Sequence, residues 1–128
     1  MSDLVLARKV YFCCAYEDDR LQGHNYCLEA FFAGPLNAKS GLVVNLSDID
    51  PLLKEVVEEL DHKHLNHDVE FFKALPPKEV GLKSLLQFCG EKLQLLLPPD
   101  CPARLVQLRL TQGEDLSADL RLDSGADF

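Results

Sequence analysis

Residues 10–33, VYFCCAYEDDRLQGHNYCLEAFFA, decide the fold of this chain. The first half is an extended run of apolar and aromatic residues whose side chains divide between two faces, as is typical of a strand. The polar residues 17–20 form a turn, and a second extended run, predicted at residues 24–33, follows it. Two such runs joined by a short polar turn predict an antiparallel hairpin. The residues expected on one face of its first strand are Val10, Phe12, Cys14 and Tyr16.

The rest of the chain adds two helices and two further strands to this hairpin. Turn formers in GPLNAKSG predict a loop, and the short apolar segment GLVVNL leads from it into the first helix. The segment DHKHLNHDVEFFKALPP is predicted as an ordered loop between the helices. The predicted order β-β-α-α-β-β indicates an α+β fold, with a four-stranded antiparallel sheet and two helices on one face. The predicted bounds are 4–16 and 24–33 for the hairpin, a start near 47–50 for the first helix, 77–95 for the second, and 103–112 and 115–122 for the last strands.

Composition narrows the class of protein. With 128 residues and 47% hydrophobic residues, the chain fits a single domain, predicted at residues 1–122 with a frayed tail at 123–128. The net charge of −8 argues against nucleic acid and anionic membranes as partners. Five cysteines, an odd number without a CxxC pair, favour a reduced cytoplasmic protein.

Several motifs in this frame carry a family resemblance. They are VYFCCAY, GHNY, GLVVNL, LDHKHLN, LPPKEV and RLTQGEDL, in this order between residues 7 and 122. By them the chain resembles the 6-pyruvoyl-tetrahydropterin synthase and 6-carboxytetrahydropterin synthase family. The resemblance implies the tunnelling fold, in which subunits join their sheets into a barrel, as trimers or hexamers with active sites between subunits. It also implies a pterin-like ligand, with a copy of the same chain or a complete paralogue as partner.

The family's chemistry uses a zinc ion held by three histidines, a loop cysteine that moves a proton, and an Asp–His pair. At the zinc positions this sequence has Tyr16, Gln22 and His24, so one histidine of three is kept. The loop, shortened to EDDRLQ, has no cysteine. Zinc is therefore not expected at this position, and no metal ligand set is predicted.

Other family positions are kept or changed one by one. The Asp–His pair matches at Asp61 and His62, and Glu79 matches a glutamate that opens the second helix. The glutamate that grips the pterin aligns with Gln112, an amide without the charge that strengthens such hydrogen bonds. The candidate catalytic residues are thus Asp61, His62 and Tyr16, and the candidate ligand-binding residues are Gln112, Glu79 and His24.

Simpler interpretations compete with each of these. Asp61 and His62 could serve only to cap a helix end and bind backbone. Cys14 and Tyr16 are better explained as fillers of the vacated zinc space than as a nucleophile and its partner. The histidines at positions 62, 64 and 67 offer another metal set, but a solvated loop is the simpler explanation.

Two classes of function follow from the resemblance. In the first, the chain has lost the zinc-dependent lyase reaction and is a non-catalytic oligomeric or pterin-binding protein. In the second, it is a metal-independent enzyme that uses the Asp–His pair on a pterin-like substrate.

Overall fold

The computed structural model of the protein describes residues 4–35 and 45–122. Residues 36–44, which include most of the predicted loop and of the GLVVNL segment, and the predicted tail at 123–128 lie outside the described residues. Elements in chain order are β1 (Leu4–Glu17), β2 (Leu21–Gly34), α1 (Leu46–Glu58), β3 (Lys63–His64), α2 (Leu65–Asp68), α3 (Glu70–Lys73), a 3₁₀ turn (Pro77–Glu79), α4 (Leu82–Leu96), β4 (Arg104–Gln112) and β5 (Leu116–Arg121).

The predicted hairpin forms over its full length. β1 and β2 each have 14 residues and pair antiparallel, from Leu4 opposite Gly34 to Glu17 opposite Leu21. β2 begins three residues before the predicted start at His24, because pairing with β1 continues through Gly23. Registered partners lie on the same face of the sheet, so Cys14 is beside His24 and Cys13 beside Asn25 on the opposite face.

The sheet has five strands in the order β3-β1-β2-β4-β5, and it is mixed. Each neighbouring pair among its four predicted strands is antiparallel, as expected. The fifth, β3, comes from the predicted loop and pairs parallel with Cys14 and Ala15 of β1. Two residues are too short for a periodic signal, so the sequence pattern could not reveal this strand. The same segment also forms the short helices α2 and α3, which the loop prediction missed.

The second long helix starts later than predicted. Pro77 begins a separate 3₁₀ turn, and α4 begins only at Leu82. The Gly81 N–H donates to Ser84 Oγ at 2.9 Å, and this hydroxyl donates back to the Gly81 carbonyl at 3.1 Å. The serine thus closes the first turn of α4, as a capping side chain does.

The core lies between the helices and one face of the sheet. Its largest fully buried side chains come mainly from β2, from α1 and α4, and from β4. They include Tyr26, Phe32, Leu28, Leu53, Leu85, Leu108 and Leu110. Among the described residues, no helix is long and apolar enough to cross a membrane.

Candidate functional site

The three residues at the predicted zinc position contact one another at the end of the hairpin. Tyr16 Oη donates to Gln22 Oε1 at 3.4 Å, and His24 Nε2 lies 3.1 Å from the same oxygen. Gln22 Nε2 in turn donates to Asp18 Oδ2 at 2.9 Å in the turn between the strands. The glutamine therefore joins tyrosine and histidine into one hydrogen-bonded cluster.

Burial fixes the chemical state of Tyr16. Its side chain is 5% exposed, and its ring packs against Gly81 at the start of α4. Burial, followed by the nearby negative charge of Asp18, raises the pKa of Tyr16 above its usual value. The phenol thus stays protonated at neutral pH and is a weak metal ligand.

By this donor chemistry the position does not fit a zinc ion. Zinc prefers thiolate, imidazole and carboxylate ligands, and three protein ligands are the usual minimum. Here a protonated phenol and a neutral amide stand beside His24, whose Nε2 is already in contact with Gln22. As the sequence predicted, Cys14 and Tyr16 fill the interior here, each with 5% exposure.

The predicted pterin-binding residue Gln112 lies on the same face of the sheet. It is the registered partner of Tyr26, which is adjacent to His24 with ring centroids 6.0 Å apart. The Tyr26 hydroxyl donates to Gln112 Oε1 at 2.9 Å. Tyr16, His24 and Gln112 therefore line one continuous polar row. Glu79, in contrast, is exposed on the 3₁₀ turn.

The Asp61–His62 pair forms a second cluster with a residue that sequence reasoning passed over. Asp61 Oδ1 accepts the backbone N–H of Cys13 at 3.0 Å, and Asp61 Oδ2 lies 3.1 Å from His62 Nδ1. The Cys13 thiol, the carboxylate and the imidazole lie within 4.8 Å of one another. Alternation along β1 could have flagged Cys13, because it points away from the core-facing Cys14.

Backbone geometry holds this second cluster in place. The His62 N–H donates to the Cys13 carbonyl at 2.7 Å, and His62 has a φ of 62°, a left-handed conformation uncommon outside glycine. The Cys13 N–H bond, and then the charge of His62, lower the pKa of Asp61. The carboxylate of Asp61 is therefore held in place beside the imidazole of His62. Asp61 also binds the backbone of Cys13, which agrees with the simpler interpretation.

The two neighbouring cysteines differ in burial. Burial raises the pKa of the Cys14 thiol to about 12, which makes it a poor nucleophile. Cys13 is only partly buried. It borders an open cleft of about 560 Å³ that is also lined by residues including Asn25, His24 and His62. A thiol, an imidazole and a carboxylate thus meet at the edge of this cleft. All five cysteines are free thiols, as predicted.

A third cluster lies beside the cleft. Glu17 Oε1 is 3.5 Å from His64 Nε2 and 4.0 Å from His67 Nε2. The two imidazole rings have centroids 4.1 Å apart. The sequence suggested His62, His64 and His67 as a metal set. In the structure His62 lies in the Asp61 cluster, and the third member beside His64 and His67 is Glu17.

Solved structures place this fold in a class. The chain is similar to the 6-pyruvoyl tetrahydropterin synthase of Caenorhabditis elegans, with a TM-score of 0.83, 20% identity, and coverage of 95% of this chain and 97% of that one. It is also similar to the Plasmodium falciparum 6-pyruvoyl tetrahydropterin synthase, with a TM-score of 0.73, 17% identity, and coverage of 95% and 99%. The fold of the single chain is therefore the tunnelling fold that the resemblance predicted.

Sequence comparisons identify the family. The family model described as 6-pyruvoyl tetrahydropterin synthase matches residues 7–121, and the chain belongs to this family. Its match to the 6-pyruvoyl tetrahydrobiopterin synthase of Drosophila melanogaster is 38% identical over 55 residues, 42% of this chain and 33% of the relative. With the human enzyme of that name it is 37% identical over 77 residues, 59% of this chain and 51% of the relative. The chain thus matches about a third to a half of the length of these relatives.

Proposed function

We propose that this chain is a non-catalytic member of its family that self-associates and binds a pterin-like heterocycle. One observation carries the loss of the zinc-dependent reaction: Gln22 Oε1 is bonded to the Tyr16 hydroxyl and contacts His24 Nε2. This cluster satisfies its own polar groups, and it offers no charged ligand for a metal. Polarisation of substrate oxygens by a metal, which contributes several kcal/mol to such reactions, is then lost.

Gln112 supports a weak but retained affinity for a flat heterocycle. Its oxygen accepts the Tyr26 hydroxyl proton, so its amide nitrogen is the group left to face a ligand. A glutamate at this position would accept from the tyrosine and from a ligand amidine together. We expect the amide to weaken pterin binding by about 1 to 3 kcal/mol relative to a carboxylate.

Two open sheet edges support self-association. Within the described residues, β3 covers only Cys14 and Ala15 on the outer side of β1, and β5 pairs with β4 alone. Leu4 and Val5 at the first edge and Leu116 at the other are 48%, 58% and 50% exposed. Long apolar edges favour pairing with another chain, and a trimer or hexamer would pair them in a closed ring.

A turnover assay tests the catalytic part of the proposal. Dihydroneopterin triphosphate is incubated with the purified chain, with and without added Zn²⁺, and products are followed by chromatography. We expect no conversion above the uncatalysed rate in either case. Conversion at an ordinary enzymatic rate would refute the non-catalytic assignment.

Binding can be measured directly, because pterins fluoresce and the chain has no tryptophan. Neopterin, a fully oxidised and strongly fluorescent pterin, is titrated by fluorescence anisotropy against the native chain, Gln112→Glu and Gln107→Glu. The second variant is the control, because it adds the same charge to β4 on the opposite face of the sheet. We expect Gln112→Glu alone to bind about 5- to 150-fold more tightly. Equal affinities of all three proteins would show that Gln112 does not contact the ligand.

Light scattering tests the assembly. The native chain should elute as a trimer or hexamer at micromolar concentration. Val5→Lys, at the β1 edge, should shift it towards smaller species, whereas Lys54→Glu on the exposed side of α1 should not. A native monomer would refute self-association, and a mixed complex formed only with a complete family member would identify that paralogue as the partner.

One observation favours the second candidate, a metal-independent enzyme. Asp61 orients His62 at 3.1 Å, and the Cys13 thiol lies in the same cluster at the edge of the cleft. An imidazole held by a carboxylate can act as a base towards a thiol or a bound substrate. If the chain turns over a reduced pterin without metal, His62→Ala should abolish that activity and Cys13→Ser should reveal whether the thiol takes part.

A further inference from the structure

We propose that Glu17, His64 and His67 bind a divalent transition-metal ion such as Zn²⁺, at a site separate from the family zinc position. This inference goes beyond the proposed function and does not depend on it. Two imidazoles and one carboxylate are the donor set of many zinc sites, and they are far better ligands than the phenol and amide near His24.

The distances suit an ion of this kind. Ligand atoms at about 2.0 to 2.1 Å from a tetrahedral zinc ion lie about 3.3 Å apart. Glu17 Oε1 is 3.5 Å from His64 Nε2 and 4.0 Å from His67 Nε2. One ligand atom from each of the three residues lies within 4.8 Å of the others. Small rotations of the half-exposed Glu17 and His67 side chains would close the site.

The backbone that carries these ligands is held rigidly. Asn66, between the two histidines, accepts the Glu17 N–H at 2.8 Å and donates to the Glu17 carbonyl at 2.8 Å. Asp68 Oδ2 accepts the His64 N–H at 2.8 Å. The end of β1 and the turn of α2 are thus fastened together before any ion binds, and this lowers the entropic cost of binding.

The competing cluster around Asp61 is less available. Both oxygens of that carboxylate are engaged, one by the Cys13 N–H and the other by the His62 imidazole. In the described part of the chain, the contacts of Glu17 Oε1 are with the two imidazoles that would share the ion with it. A metal at Asp61 would therefore compete with a backbone hydrogen bond, whereas at Glu17 it would replace only contacts between its own ligands.

The site should be weaker than a structural zinc site. Nδ1 of His64 is buried and has no hydrogen-bond partner among the described residues. A metal on Nε2 would place the ring proton on this nitrogen, where no acceptor orients it. Missing partners of this kind lower metal affinity about 10- to 100-fold, so we expect a dissociation constant in the micromolar range. Three protein ligands leave a tetrahedral ion one open position.

Cobalt titration of the tag-free, chelator-treated protein tests the proposal. Co²⁺ gives visible absorption bands in tetrahedral sites, and a thiolate ligand adds a separate charge-transfer band. We expect saturation at one ion per chain, displacement by Zn²⁺, and no thiolate band. Absence of saturable binding, or a thiolate band that Cys13→Ser removes, would overturn the proposal.

Matched histidine variants locate the ion. His67 is 69% exposed, so His67→Ala should leave the fold intact. We expect it to weaken Co²⁺ and Zn²⁺ binding about 100-fold or more, and Glu17→Gln about tenfold or more. His24→Ala and His62→Ala, which remove histidines outside the site, should change affinity less than about twofold. Equal binding by His67→Ala and the native chain would refute the site.

Discussion

Two side-chain clusters beside the β1–β2 hairpin, one around Gln22 and one around Asp61, differ in how their polar groups are satisfied. Around Gln22, the side chains of Tyr16 and His24 both contact one amide oxygen, and Tyr16 is buried. Around Asp61, the carboxylate contacts the His62 imidazole, which lines an open cleft and is 78% exposed. A buried site that loses ligands must satisfy its polar groups internally, whereas an exposed pair can rely on water. The first cluster is thus internally bonded, whereas the His62 imidazole of the second is accessible to solvent.

The strongest test of this difference is to restore the family's histidines at positions 16 and 22. Tyr16→His with Gln22→His would restore three imidazoles, and removing the phenol opens space for an ion. We expect zinc affinity to rise by several orders of magnitude, from no detectable binding at this position. Turnover should not return with it, because the loop base is still missing, and such a base contributes about 10²- to 10⁴-fold in rate.

Isothermal titration with Zn²⁺ would measure this gain. The titration is run in a His67→Ala background, so that binding at the Glu17 cluster does not contribute. Adding His24→Ala should abolish the gained binding. If the double variant folds and still binds no zinc, the three positions do not converge as the resemblance implies.

The two neighbouring cysteines allow the accessibility of the two faces of β1 to be compared directly. Burial raises the pKa of Cys14 to about 12, whereas Cys13 is partly exposed beside the cleft. At pH 8 the alkylating agent iodoacetamide should therefore modify Cys13 at least about tenfold faster than Cys14. Trypsin cleaves after Lys9 and Arg20, so both cysteines lie on one peptide without Cys27, and fragment-ion spectra after a time course would assign the alkylated thiol. Equal rates in the folded protein would mean that the β1 face carrying Cys14 opens readily.

Much of this arrangement follows from the sequence, but not all of it. Alternation in the hairpin places Cys13 and Cys14 on opposite faces, and the family resemblance indicates both the face that carries Cys14 and the pair Asp61 and His62. They could not predict that Asp61 binds the Cys13 backbone, because that contact depends on the register of β3, a strand of two residues.

The Glu17 cluster shows the same limit. The sequence suggested a metal set of neighbouring histidines, but the left-handed turn at His62 separates this residue from the other two. The third ligand lies 47 to 50 positions earlier in the chain, where only the parallel pairing of β1 with β3 brings it close. Tertiary pairing of this kind leaves no local periodicity to detect.

Two single substitutions, Tyr16→Phe and Tyr26→Phe, compare how much each tyrosine hydroxyl contributes to the free energy of unfolding. Tyr26 is 2% exposed and donates to Gln112 at 2.9 Å, whereas the Tyr16 bond to Gln22 is longer, at 3.4 Å. Tyr26→Phe should lower the free energy of unfolding by about 1 to 2 kcal/mol, and Tyr16→Phe by less than about 1 kcal/mol. Urea unfolding of both variants measures the difference, and the reverse order would show that Gln22 depends on Tyr16 more than its geometry implies.

The last effect is expected at Asp61, whose modest contribution to stability depends on pH. Its pKa is lowered in the folded chain, so its stabilising contribution is present above the unfolded value of about 3.9 and is lost as the pH falls through the folded value. Asp61→Asn should therefore lower the free energy of unfolding by about 1 kcal/mol at pH 7, since the amide accepts the Cys13 N–H without charge. The gap between the native chain and the variant should narrow below pH 4. Asp115→Asn, at an exposed position of the β4–β5 turn, serves as the control and should leave the unfolding free energy nearly unchanged at pH 7. A gap of the same size at pH 7 and pH 3 would show that Asp61 stabilises the fold by shape rather than by its charge.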